Sequence, residues 1–210
     1  MTLSTMKVYH YTTLDGWEKM NEGDSDYSFW NPATNGYTDG RLVRGLWPNR
    51  RLITQGIESA LTPPESTRPH IFAMLSSNPE LWLRNEAFPG IFDYLIRGII
   101  SHSKYPCDER KLVLLEVNLL HSDKPFVVDY AHVVREGRIF DKTKNHKHIA
   151  EGYKKYWDSK ISLQQYSGRY DLPEVVFEGP IPLERLNKLW ERESESFRVQ
   201  GELNIEELTK

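Results

Sequence analysis

The sequence predicts an α+β domain: a mostly antiparallel sheet with helices packed at its sides. Three observations lead there. Short segments rich in β-forming residues recur at 6–12, 111–118, 126–129 and 175–177. Between them lie stretches with apolar residues at helical spacing, at 14–20 and across 141–163. Prolines and glycines, 12 and 13 of them, supply turn pairs along the whole chain.

A chain of 210 residues is sized for one domain with a substantial core, and we expect a single domain over 1–190 followed by a charged tail over 191–210. The net charge of −3 argues neither for nor against a nucleic acid partner. Cys107 has no second cysteine to bond, which fits a reducing compartment. The opening residues lack a secretory apolar core, and no run reaches the roughly 18 apolar residues of a membrane span. The expectation is a cytoplasmic protein with no membrane partner.

Taken in order, Met6 to Thr12 alternates apolar and polar residues and reads as the first strand. Thr12 or Thr13 can cap a short helix over Leu14–Met20. His10 therefore sits near the end of a strand that leads straight into a helix, a good corner for a binding site. Asp24 to Leu52 reads as an irregular, structured loop: Asn31-Pro32, Asn35-Gly36 and Asp39-Gly40 are turn pairs among Tyr27, Phe29, Trp30, Tyr37 and Trp47. Arg41, Arg44, Arg50 and Arg51 cluster there and suit bidentate contacts to phosphate.

Pro69 to Ser77 reads as a second strand, with a helical turn at Glu80–Leu83 and a helix over Ile91–Ile100. Lys111–Asn118 is the clearest strand, and Phe126–Asp129 follows as another after a Ser-Asp-Lys-Pro turn. In 141–163, Ile149, Tyr153, Tyr156, Trp157 and Ile161 form a helical stripe that reads as packing. Val175-Val176-Phe177 is a buried strand, opened by Pro173 and closed by Gly179-Pro180 with an Ile181-Pro182 extension. Pro173 holds its predecessor extended, so Glu174 stands where loop becomes sheet. Glu184 to Glu193 reads as a charged helix.

Several chemistries lack their residues. His146 and His148 at i, i+2 diverge on a helix, and no His-Glu-x-x-His or cysteine pair is present, so no metal site is expected. Gly-x-Gly-x-x-Gly, the phosphate-loop motif and Gly-x-Ser-x-Gly are also absent from the sequence.

Val8-Tyr9-His10-Tyr11-Thr12 and Pro173-Glu174-Val175-Val176-Phe177-Glu178-Gly179-Pro180-Ile181-Pro182 resemble the first and last motifs of the ADP-ribosyltransferase superfamily. Leu112–Val117 and Val127–Asp129 resemble its intervening strands, so the likeness runs loosely from Lys7 to Leu186. The resemblance implies a split antiparallel sheet and NAD as co-substrate. It makes Glu174 the carboxylate that stabilises an oxocarbenium-like state on the nicotinamide ribose, and His10 a partner of the adenosine ribose. The backbone beside His10 would hold the nicotinamide amide, with Tyr11 and Thr12 completing the corner. Ser76 or Ser77 would fill the middle motif, Arg44 and Arg51 would grip phosphates, and Tyr94 or Tyr37 would stack the nicotinamide.

Leu172 stands where arginine-modifying relatives carry Glu or Gln, which argues against arginine as acceptor. The acceptor otherwise stays open: protein, nucleic acid, small molecule or water. Three other readings remain. One is an RNA 2′-phosphotransferase using His70, Arg44, Arg50 and Arg51. Another is a nucleotide-binding module without catalysis. The last is a plain α+β domain in which His10 and Glu174 never meet.

Overall fold

The computed structural model describes residues 6–22, 28–31, 36–39, 45–46, 70–101, 109–141 and 145–193. Strand β1 (Met6–Thr13) runs directly into helix α1 (Leu14–Glu22), and the Thr13 hydroxyl accepts from the Gly16 N–H at 3.3 Å. Strands β2 (Ser28–Asn31) and β3 (Gly36–Asp39) pair as an antiparallel ribbon, so the stretch expected to be irregular contains regular structure. The two-residue β4 (Gly45–Leu46) follows. Strand β5 (His70–Ala73) leads to helices α2 (Glu80–Leu83) and α3 (Ile91–Ile100). Next come β6 (Lys111–Leu119), β7 (Phe126–Asp129), and helices α4 (Ala131–Arg135) and α5 (His146–Asp158). The chain then makes β8 (Ile161–Ser162), β9 (Pro173–Glu178), β10 (Ile181–Pro182) and β11 (Leu186–Glu193).

The fold is α+β with antiparallel sheets. One sheet has the order β1-β6-β11 and another β5-β9-β7-β8, while β10 pairs with β4. A single bridge joins the two larger sheets: Tyr9 and Met74 exchange backbone hydrogen bonds at 2.9 and 2.7 Å. No helix among the described residues is long and apolar enough to cross a membrane.

Strand alternation sorts the core. Val8, Ile71, Ala73, Val113, Leu115, Val117, Val127, Val175 and Phe177 form a cluster on one face. On the other face, Tyr11, Met74, Leu112 and Leu114 pack under α2 and α3, while Phe126, Val128 and Val176 pack under α4 and α5. Strand β6 is buried along most of its length because β1 and β11 flank it on either side.

Two expectations need correction. Glu184–Glu193 is not a helix. After a short 3-10 turn at Leu183–Arg185, the chain pairs antiparallel with β6, with an irregularity in register between Lys188 and Trp190. The long apolar β6 needs a partner on its second edge, and that demand overrides the helix-like spacing of Leu186, Leu189 and Trp190. The strand runs to Glu193. The second correction concerns β5, which ends at Ala73 with only the Met74 bridge beyond it, leaving Ser76 and Ser77 outside the sheet.

Helix α5 approaches the turn that follows α4 closely where each carries a glycine. A Cβ at Gly152 would lie 2.6 Å from the Gly137 nitrogen and 2.8 Å from its Cα. Backbone cannot give way as a side-chain tip can, so Gly152→Ala should force α5 outward. We expect a loss of about 1–3 kcal/mol, the usual scale of core overpacking. Gly98 in α3 is the contrast, since a Cβ there meets nothing within 4 Å. Gly98→Ala should stabilise by roughly 0.5–1 kcal/mol through helix propensity. Urea midpoints of the two variants should move in opposite directions.

Candidate functional site

The site begins where the two large sheets separate. In a regular antiparallel pair, the N–H and C=O of alternate residues point to the same neighbour. Tyr9 bonds Met74 across the gap, so Tyr11, two residues on, also directs its backbone groups toward β5. If the ladder continued, Tyr11 would meet Phe72. It does not, because the His10 ring occupies that place: His10 Nδ1 donates to the Phe72 carbonyl at 2.7 Å. A carbonyl only accepts, so this bond fixes the proton on Nδ1. Burial pulls the His10 pKa below its ordinary value, more than the Phe72 bond raises it, and the ring is neutral at neutral pH. Beyond the Tyr9–Met74 bridge, no ladder pair joins Tyr11 to β5 among the described residues. The split therefore presents one backbone donor and one backbone acceptor, side by side on a strand edge.

Thr12 sits on the opposite side of β1 from Tyr11, and its hydroxyl lies against α1. A Cβ on Gly16 would come within 2.4 Å of Thr12 Oγ1, so glycine lets the helix start this close to the strand end. The Tyr11 side chain packs edge-to-face on Phe92 and Trp190, at 5.5 and 5.9 Å between ring centroids, and its hydroxyl donates to the Ser77 carbonyl at 3.4 Å. Ser76 Oγ accepts from the Asn78 N–H at 3.1 Å, a local turn contact.

Glu174 stands at the head of β9, opposite Val128 of β7. The chain before it is held on several sides. Asp129 Oδ1 accepts from the Leu172 N–H at 3.0 Å, and the Tyr130 N–H donates to the Leu172 carbonyl at 2.9 Å. The Trp82 indole donates to the Pro173 carbonyl at 3.0 Å. The residue is 7 % exposed. Its Oε2 accepts from the Tyr156 hydroxyl at 2.7 Å, and Oε1 has no partner among the described residues. Burial pushes the Glu174 pKa up to about 7, against the opposing pull of the Tyr156 bond.

Tyrosines surround this acid. Tyr130 and Tyr153 meet the Tyr156 ring at 6.2 and 5.9 Å, nearly perpendicular in both cases at 88° and 82°. Burial first, then the Glu174 charge and the neighbouring tyrosines, raise the pKa values of Tyr130, Tyr153 and Tyr156. Tyr94 acts on Tyr130 and Tyr153 in the same way, and it sits at the surface against Phe140, 5.1 Å away, with the two 50 % and 52 % exposed.

His10 and Glu174, expected to line one cleft with Ser76 or Ser77, do not share a wall. His10 alternates with Tyr9 and Tyr11 and so lies on the face of Val8, Ala73 and Val175, whereas Glu174 alternates with Val175 and lies on the face of Val128 and Val176. Glu174 instead shares its face with the side chains of Tyr9, Tyr11 and Met74. The His10 ring opens the split; it does not line the acid's surroundings. His70 lies at the far end of β5, edge-to-face with Phe126 at 5.9 Å, away from both. Arg41, Arg44, Arg50 and Arg51 lie outside the described residues. Of the two aromatics proposed for stacking, Tyr94 lies on the acid's side and Tyr37 falls in β3.

The tyrosine walls were not legible as a site. Tyr153 and Tyr156 belong to the stripe read as packing, and that stripe does pack: Tyr156 and Trp157 are buried. The Tyr156 hydroxyl, which a stripe of apolar positions does not represent, donates to Glu174. Comparison of the chain with protein-family models, with curated proteins and with solved structures finds no match.

Proposed function

We propose that the chain binds NAD at the split between its sheets and cleaves the nicotinamide–ribose bond, as an ADP-ribosyltransferase or NAD glycohydrolase. One observation carries this reading: the Tyr11 backbone edge, which no ladder pair covers among the described residues, beside the Phe72 carbonyl taken by His10. A primary carboxamide offers the complementary pair, N–H to the Tyr11 carbonyl and C=O to the Tyr11 N–H. The nicotinamide end of NAD carries that group. The motifs around His10 and Glu174 resemble those of the ADP-ribosyltransferases, and the separated antiparallel sheets suit the same likeness.

In this reading the C1′–N bond breaks, and its electron pair returns to the pyridinium ring, which leaves as neutral nicotinamide. The ribose is left as an oxocarbenium-like cation. Glu174, ionised, would stabilise that charge and take the proton of the attacking acceptor or water. Tyr156 would hold the carboxylate in place from α5.

A second reading, NAD binding without turnover, is favoured by the surroundings of Glu174: buried, engaged on one oxygen by Tyr156, and with its pKa pushed up to about 7 by burial. Incubating the full chain with NAD separates the two. Nicotinamide release well above the uncatalysed rate supports the transferase. A rise in melting temperature with no nicotinamide release leaves the binding module. If millimolar NAD neither shifts melting nor releases nicotinamide, both readings fail.

A further inference from the structure

We propose that the outer edge of β11 pairs antiparallel with β11 of a second copy of this chain, joining two three-stranded sheets across a two-fold axis. Backbone direction sets the first condition. Tyr9 turns its N–H and C=O toward Met74, so Val8, His10 and Thr12 turn theirs toward β6. Their partners Val117, Leu115 and Val113 are thereby spent on β1. Leu186, Lys188 and Glu191 lie opposite those same three residues, so their backbone groups point away from β6. The irregularity between Lys188 and Trp190 takes up one extra residue. It leaves Lys188 and Glu191 at the spacing of alternate positions, that of Leu115 and Val113. Among the described residues no strand covers this edge. Such an edge is a template for another strand unless something repels it.

Charge chooses the occupant. A two-fold axis at Lys188 would set lysine against lysine, and one at Glu191 would set glutamate against glutamate. An axis midway between them sets Lys188 of each copy opposite Glu191 of the other, with Asn187 opposite Arg192. The faces agree as well. Lys188 and Glu191 share one face of the sheet, where their side chains meet at 3.2 Å, and Asn187 and Arg192, opposite Glu116 and Leu112, share the other. Leu189, 45 % exposed, falls at the axis beside Trp190 of the other copy, where it leaves water. A strand of one charge sign would repel its own copy. Here both signs occur, in the order that antiparallel self-pairing brings together. An unrelated strand would have to match that order, whereas a second copy matches it by symmetry.

This pairing requires neither the sheet split nor NAD, so it stands or falls apart from the proposed activity. A single strand pair is a small interface, and sedimentation of the full chain should show a monomer–dimer equilibrium in the micromolar to millimolar range. Lys188→Glu sets carboxylates opposite each other, and Glu191→Lys sets ammonium groups opposite each other. Each should weaken self-association at least about tenfold. Mixing the two variants restores opposite charges at both positions, so the mixture should dimerise about as well as the parent. That rescue also shows that neither substitution has merely unfolded the strand. Hydrogen exchange reads the register. The Lys188 and Glu191 amides should gain protection as concentration rises, while those of Asn187 and Arg192, turned toward β6, stay protected on dilution. A chain that stays monomeric at millimolar concentration, self-association that neither variant weakens, or variants whose mixture does not associate would each overturn the proposal. So would Lys188 and Glu191 amides already protected at high dilution, since the chain itself would then cover the edge.

Discussion

Glu174→Gln should outlast the parent protein in urea above neutral pH while releasing nicotinamide at least about a hundredfold more slowly, the scale of removing one electrostatic contributor to a transition state. The two effects share one cause. Burial raises the Glu174 pKa from 4.5 unfolded to about 7 folded. A carboxyl raised on folding binds its proton more tightly in the native state. Its contribution to stability is therefore fully present below pH 4.5 and is lost as pH rises through about 7. That shift corresponds to roughly 3 kcal/mol across the window, an order-of-magnitude figure. Glutamine is neutral throughout and keeps nearly the same shape, so its curve should stay flat where the parent's falls.

Glu178→Gln is the control. Glu178 lies on the same strand but pairs with a well-exposed lysine, Lys124, at 3.2 Å. Such a pair is worth about 0–1 kcal/mol, and turnover should be unchanged. Parallel pH–stability curves for the parent and Glu174→Gln would show that the acid is not held in its protonated form. Equal turnover in the two glutamine variants would remove Glu174 from the chemistry.

Local pattern carried much of the fold. The alternation of β1, the apolar run of β6 and the Pro173 opening of β9 each appear in the structure where the sequence expects a strand. Thr13 caps α1 because a hydroxyl at a strand-to-helix junction meets the free N–H groups of the first turn. What failed was decided at long range. Whether His10 and Glu174 share a face depends on how β1 registers with β5, and β5 with β9. Those registers are set by Tyr9 against Met74 and Ala73 against Val175, pairs that no local spacing reveals. A one-residue change of register would have reversed the answer. Likewise, Leu186, Leu189 and Trp190 fit a helix locally but pair with β6, whose unfilled edge is a property of the sheet. Tyr130 follows Asp129 at the end of β7, and only the packing of α4 and α5 brings it to Tyr156.

His10→Ala should close the split. The Phe72 carbonyl now filled by His10 Nδ1 would be left without a donor, and the Tyr11 N–H is the group that the Tyr9–Met74 register sets opposite it. Pairing the two extends the Tyr9–Met74 ladder by one step. The fold then exchanges one hydrogen bond for another, so global stability should change by less than about 1 kcal/mol beyond the loss of ring packing. The binding edge, in contrast, disappears. NAD affinity should fall at least about tenfold, because the variant loses both Tyr11 contacts together with the imidazole. Hydrogen exchange reads the mechanism directly and needs no ligand. In the parent the Tyr11 amide should exchange far faster than its neighbours Val8, His10 and Thr12, whose amides point toward β6, and in His10→Ala it should become protected. His10→Gln keeps a side-chain N–H within reach of Phe72, so it should hold the Tyr11 amide fast-exchanging and retain NAD binding within a few-fold. A Tyr11 amide already protected in the parent, or unchanged by His10→Ala, would mean that His10 does not hold the sheets apart. The NAD reading would then lose the observation on which it rests.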